Sequence, residues 1–254
     1  MSAIDRYLAA VQDQLRWVAE NQSASIESAA QICANSIQAD GLVFTFGTGH
    51  GAFPALESFP RTGSVTGFRP IVESSLLSMH HVWGDTGTSQ YRFIHKVEGF
   101  GEAILKSHHI ASSDSLILFS HSGINPVIID MALHFRELKL PVIAVTSIPH
   151  SSKVDGRHSS KKRLFEVADV VIDSGVPSQD AAVEIKNFTY KVGPVSTPVV
   201  VAISNSINSR TTEILVERGY TPMVMVNPNT ASSLEANKHN DLNYQDLWRR
   251  LKGR

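Results

Sequence analysis

The sequence predicts an α/β fold: three layers, α/β/α, around a parallel, flavodoxin-like sheet of about five strands. Three observations predict it. Short apolar runs, GLVFTFG (41–47), SLILF (115–119), PVIAVTS (141–147) and ADVVIDSG (168–175), recur along the chain. Strands apolar throughout are buried on both faces, so helices must flank the sheet on both sides. Between SLILF and PVIAVTS, Ile128, Met131, Ala132, Phe135 and Leu138 fall at helical spacing. Two buried parallel strands joined by a crossover helix make a βαβ unit.

In chain order, residues 3–20 read as an amphipathic helix with Ile4, Leu8, Val11, Leu15 and Val18 on one stripe. A second helix covers about 26–38. GLVFTFG is the first strand, followed by a glycine loop and a helix to about Ser58. FRPIVES is the second strand, SLLSMHHVW a short helix, DTGTSQYRF a loop, and 95–106 a helix. In the crossover helix Asn125 suits the N-cap and Pro126 the first helical position. Asp130, His134 and Glu137 mark its solvated face, and Lys139 suits its C-terminal end. A long helix opens at Thr197 and runs to about Arg218. TPMVMVN suggests a last strand and 243–252 a terminal helix. The expectation is one domain over 1–254, with leading helices at 1–40, an α/β core at 41–219 and a C-terminal extension at 220–254.

Bulk properties narrow the function. The chain has 254 residues, 42% of them hydrophobic, and a formal net charge of -1. With a sequence pI of about 6.8, no global field draws it to nucleic acid or membrane. It has no apolar run long enough to span a bilayer, and its N-terminus is not a signal peptide. A single cysteine, Cys33, excludes an intramolecular disulfide and a Cys-rich metal site. A cytoplasmic protein is the expectation.

The chemistry is concentrated in Ser120-His121-Ser122-Gly123-Ile124-Asn125, two hydroxyls, a glycine and an amide before a helix N-terminus. Free N–H groups and the helix dipole favour an anion there. Gly123 lets the backbone approach closely. With no Lys or Arg in the loop, dipoles would hold the ligand, as for a terminal phosphate. An ordinary capped βα loop is the bland alternative.

The pattern Ser-x-Ser-Gly-x-Asn between a buried strand and a helix resembles the phosphate loop of sugar isomerase (SIS) domains. Ser120, Ser122, Gly123 and Asn125 match it position by position, and the resemblance runs from about Ile26 to Gly219. It implies a phosphosugar pocket whose second wall is the first glycine loop, with Thr48, Gly49, His50 and Gly51 near the ligand. Family members often carry Ser where this chain has His50 or Gly51. Phosphoheptose isomerases and N-acetylmuramic acid phosphate etherases resemble it in placing a catalytic Glu on the helix after that loop. Glu57 is the acid on this helix, about one turn earlier than theirs. Glu73 and His80 lie near the C-terminal end of the second strand, where α/β sheets bind ligands. The segment 150–163 carries five Lys or Arg and one acid. It is placed to fold over the pocket, with Lys162 or Arg163 neutralising a phosphate.

These features imply a phosphosugar-binding protein, with aldose–ketose isomerisation through an enediol as the leading reaction. Glu57 or Glu73 would move the proton and His80 or His50 would assist ring opening. Alternatives are a non-catalytic phosphosugar sensor, an etherase-type lyase on an amino-sugar phosphate, and an NAD-binding protein. For the last, Gly47, Gly49 and Ala52 satisfy G-x-G-x-x-G/A and Glu73 takes the ribose-binding position. The leading reading implies no metal and no organic cofactor. Partners are a phosphorylated sugar or amino sugar and a second copy of the chain, as homodimer or tetramer, with neither nucleic acid nor membrane.

Overall fold

A computed structural model of the chain describes residues 1–59, 61–77, 87–229 and 233–252. Two helices lead, α1 (Ala3–Asn21) and α2 (Ser23–Gln38). The core follows as β1 (Val43–Gly47), α3 (Ala52–Glu57), β2 (Phe68–Pro70), α4 (Gly87–Ile94), α5 (Phe100–Leu105), β3 (Ser115–Phe119), α6 (Pro126–Glu137), β4 (Val142–Thr146), α7 (Ile148–Ser151) and β5 (Val170–Asp173). A hairpin, β6 (Ala181–Val183) and β7 (Val192–Pro194), precedes α8 (Ser196–Glu217) and α9 (Ser233–Lys252). The five-stranded sheet has the order β2-β1-β3-β4-β5 and every pairing is parallel. This is the flavodoxin-like order, with a switch point between β1 and β3.

The strands are buried on both faces because alternate residues feed two separate cores. Val43, Ile117, Phe119, Ile143, Val145 and Ile172 pack under α2 and α8. Phe44, Phe46, Leu116, Leu118, Val142 and Ala144 pack against α5 and α6. Period-two alternation within an all-apolar strand thus builds two cores from one sheet. Among the described residues no helix is long and apolar enough to cross a membrane.

Cys33 belongs to the first core and is fully buried. Burial pushes its thiol up to about 12. The thiolate is the nucleophile, so native protein at pH 8 is expected to resist a thiol-specific disulfide reagent and react fully once unfolded. Rapid reaction of the native protein would show that α2 opens readily.

Several expectations change. Residues 87–94 form α4 where a loop was expected. The 95–106 helix shrinks to α5, because Gly99 at φ +86° starts it late. The second strand stops at Pro70, and 74–76 form a short 3-10 turn. TPMVMVN contributes one isolated antiparallel bridge, Val224 to Val65, and no strand. The terminal helix begins ten residues earlier than expected, at Ser233 rather than Asn243. Asp130 is not on a solvated face. It is 8% exposed, and its carboxylate accepts the Gly99 and Gly101 N–H groups at 2.8 and 3.1 Å. Gly101 permits the approach, since a Cβ there would stand 2.3 Å from the Val127 carbonyl oxygen. On α1, only Val18 of the apolar stripe is buried, and Ile4 and Leu8 are exposed.

Candidate active site at the C-terminal edge of the sheet

The loops leaving β1, β3, β4 and β5 converge at the strand C-termini, where open α/β sheets bind ligands. They enclose a cavity of about 390 Å³. Thr48, His50 and Gly51 line one wall, Ser120, His121, Ser122 and Asn125 the opposite one. Thr146, Ser174, Asp180, Ser196 and Thr197 close the side toward α8, and Tyr91 contributes from α4.

The β1 loop is shaped by its glycines. A Cβ at Gly47 would stand 1.9 Å from the Gly51 carbonyl oxygen, and Gly49 has φ +57°. The chain therefore turns tightly enough to bring His50 and Gly51 to the cavity.

Three carbonyls of the β3 loop are taken up by residues that do not line the cavity. The His121 carbonyl accepts from Ser147 N–H at 3.1 Å, Gly123 from Leu164 N–H at 2.8 Å and Ile124 from Arg157 N–H at 3.1 Å. Ser120 Oγ accepts from Gly123 N–H at 3.1 Å, and Gly123 sits at φ +62°. Among the described residues the Ser122 and Ile124 N–H groups have no acceptor. The loop is left with donors to offer.

The N-termini of the two longer helices α6 and α8 reach the cavity, and they differ. At α8, Asp180 Oδ1 accepts Val195 N–H at 3.0 Å and Ser196 N–H at 2.7 Å, while Oδ2 accepts the Ser196 hydroxyl at 2.5 Å. A carboxylate already occupies that terminus. At α6, Asn125 holds the N-cap position but makes no side-chain cap. Its Oδ1 instead accepts from the Arg157 guanidinium at 2.8 Å. The positive end of the α6 dipole stays open to a ligand.

Histidines line or back the cavity. The His121 and His150 rings stack at 4.9 Å with 21° between planes. Burial lowers the pKa of His121, the Asp180 charge opposes this, and His150 adds to the lowering. Burial lowers His150 as well. Both imidazoles are held toward the neutral form. His121 Nε2 is buried without a hydrogen-bond partner among the described residues.

Of the residues singled out from the sequence, Thr48, His50, Gly51, Ser120, Ser122 and Asn125 come together around this cavity. Gly49 and Gly123 shape its walls through their backbone. Glu57 and Glu73 are not among its lining residues. Glu57 accepts from Arg61 at 2.6 Å and from Asn205 Nδ2 at 3.4 Å. Glu73 caps the turn after β2, accepting from Ser75 N–H and Oγ at 3.1 and 2.6 Å. His80 lies outside the described residues. Lys162 is exposed away from the lining, and Arg163 is bound to Glu166 at 2.9 Å. The cation that the basic segment brings to the loop is Arg157. His121, Asp180 and Arg157 went unassigned in the sequence. His121 had a signal, its place inside the serine loop. Arg157 had one too, its place in the basic segment 150–163, although the expectation fell on Lys162 and Arg163. Asp180 had none, since a distant backbone path delivers it.

A family model described as SIS domain matches residues 6–147. The chain belongs to the SIS-domain family. Among curated relatives, a UPF0309 protein of Shouchella clausii is 36% identical over 219 residues, covering 86% of this chain and 87% of that one. A UPF0309 protein of Oceanobacillus iheyensis has the same identity and coverage. Among solved structures, phosphoheptose isomerase GmhA from Neisseria gonorrhoeae superposes with a TM-score of 0.51 at 15% identity, covering 83% of this chain and 96% of that one. A putative sugar-phosphate isomerase of Listeria monocytogenes gives 0.50 at 13% identity, covering 86% and 90%. At such identities these two likenesses concern the fold alone.

Proposed function

We propose that this SIS-domain protein binds a sugar phosphate in the cavity and isomerises it between aldose and ketose, in the cytoplasm. The observation that carries the phosphate reading is the contrast between the helix termini. Asp180 fills that of α8, whereas α6 is uncapped behind a loop whose His121, Gly123 and Ile124 carbonyls are taken up elsewhere. A phosphate at α6 would accept from the loop N–H groups and the Ser120 and Ser122 hydroxyls, fixing the reacting carbons across the cavity. The names of the fold neighbours, a phosphoheptose isomerase and a putative sugar-phosphate isomerase, agree with this ligand class. In the isomerisation a base removes the proton from C2. The C–H pair forms the C1=C2 bond of an enediol as the carbonyl oxygen takes up a proton; the C2 hydroxyl then gives up its proton to become the ketone carbonyl as the C1=C2 pair takes a proton at C1. Proton transfer falls to His50 and His121, the histidines of the lining, in place of Glu57 and Glu73, which are engaged outside it. We also propose self-association through α1, whose Ile4 and Leu8 are left exposed by the described residues.

A non-catalytic sensor is the second reading. It is favoured by Asp180, the one acid among the described lining residues, having both carboxylate oxygens committed to α8. The experiment is a thermal-shift screen of sugar phosphates against the parent sugars, followed by incubation of each hit in heavy water. A ligand that binds the native state raises the unfolding midpoint. Stabilisation by phosphate esters with deuterium entering at C2 is the expected result. Stabilisation without exchange leaves the sensor, and equal effects of esters and parents would sink the phosphosugar reading.

A further inference from the structure

We propose that Arg157 is the charge that makes this site select a phosphate dianion, held at the mouth of the α6 terminus by Asn125. The inference rests on the phosphosugar reading above and deepens it. No Lys or Arg is among the described lining residues. A doubly charged group in a partly desolvated cavity needs more than dipoles to displace its water. Arg157 donates to the side chain of Asn125, itself a lining residue, at 2.8 Å. Its backbone N–H is fixed to the Ile124 carbonyl. It has no carboxylate partner among the described residues, whereas Arg163 and Arg210 are each committed to acids. Arg157 also contributes, after burial and the charge of Lys96, to lowering His95. The His95 ring lies 4.6 Å from that of Tyr91, a lining residue. The guanidinium is thus fixed at the Asn125 wall of the cavity.

The surrounding strap is built to keep it there. The neighbouring His158 places Nε2 3.2 Å from Asp130 on α6 and 3.4 Å from Glu98. Ser159 donates its N–H to Glu98 at 2.8 Å and its hydroxyl to the same carboxylate. Leu164 N–H returns to the Gly123 carbonyl. Residues 157–164 are pinned at both ends, along α6 and to the serine loop. A planar fork with five donors serves one bond to Asn125 and keeps donors for a phosphate oxygen.

The test measures binding of inorganic phosphate to the full chain by calorimetry at pH 8, from low to high sodium chloride. Arg157→Gln is expected to weaken binding about tenfold at low salt and to flatten its salt dependence. Arg157→Lys should restore the salt dependence and part of the affinity. Loss of affinity with an unchanged salt slope in Arg157→Gln would mean that the strap contact matters and the charge does not, overturning the proposal. Wild-type affinity in Arg157→Gln, with binding abolished in Ser120→Ala/Ser122→Ala, would overturn it while the phosphate loop stands. If the wild-type protein binds neither inorganic phosphate nor any sugar phosphate, both readings fall together.

Discussion

Replacing Ser120 and Ser122 together by alanine is expected to weaken sugar-phosphate binding by two orders of magnitude or more. Each hydroxyl would donate to a charged oxygen, a bond worth about 1.5–3 kcal/mol, and about 1.4 kcal/mol is tenfold in affinity. Loss of Ser120 Oγ also removes the acceptor of Gly123 N–H, loosening the turn that presents the donors. The fold should survive. Both side chains sit on a loop at the cavity, and the cores under it are built from β1, β3, β4 and the helices. The measurement is titration of both proteins with the best ligand of the screen and with its unphosphorylated parent. Affinity for the parent should be unchanged. Equal affinity of the two proteins for the phosphate ester would remove the phosphate loop from the site.

Arg250→Leu is expected to cost about 3 kcal/mol of stability, the scale of breaking a buried ion pair from one side. The Arg250 side chain is 1% exposed. It donates to the Ile37 and Gly41 carbonyls at 3.0 and 3.1 Å, to Tyr220 Oη at 3.0 Å and to Asp246 at 2.8 Å. These bonds clamp α9 onto the end of α2 and the start of the first strand. Leucine leaves two buried carbonyls short of a donor and Asp246 with Arg249 alone. Burial raises the Asp246 pKa, but the bonds from Arg250 and Arg249 outweigh it and the net shift is downward. A carboxylate depressed in the folded state contributes stability above its unfolded pKa and loses it as pH falls through the folded value. The gap between wild type and variant should therefore be full at pH 7 and narrow in acid below the ordinary carboxylate range. Urea unfolding at pH 7 and in acid checks this, with the midpoint lowered and the slope unchanged. A constant gap at both pH values would assign the loss to packing and the carbonyl and hydroxyl bonds, with nothing from the Asp246 charge.

The sequence by itself determined the sheet, its two-sided burial and the position of the serine loop. The reason is local. Strands apolar at every position have no solvent face, so helices must cover both sides. Asn125-Pro126 after an apolar strand starts a helix wherever the chain places it. The β1 glycine loop was legible for the same reason, since Gly47 and Gly49 answer to backbone geometry within a few residues. The tertiary structure decided what local pattern does not encode. Arg157 meets Asn125 across 32 positions, Asp180 caps α8 across 16, and α5 buries Asp130 by way of Gly101. Their partners are chosen by where loops without periodicity return to the sheet edge. The same holds for Glu57, an acid on the helix after the glycine loop whose role only resemblance suggested, and which Arg61 and Asn205 hold toward α8. Periodicity reports which face of an element is apolar. Which charge ends beside which helix terminus depends on packing between elements, and that packing selects the α6 terminus as the open one.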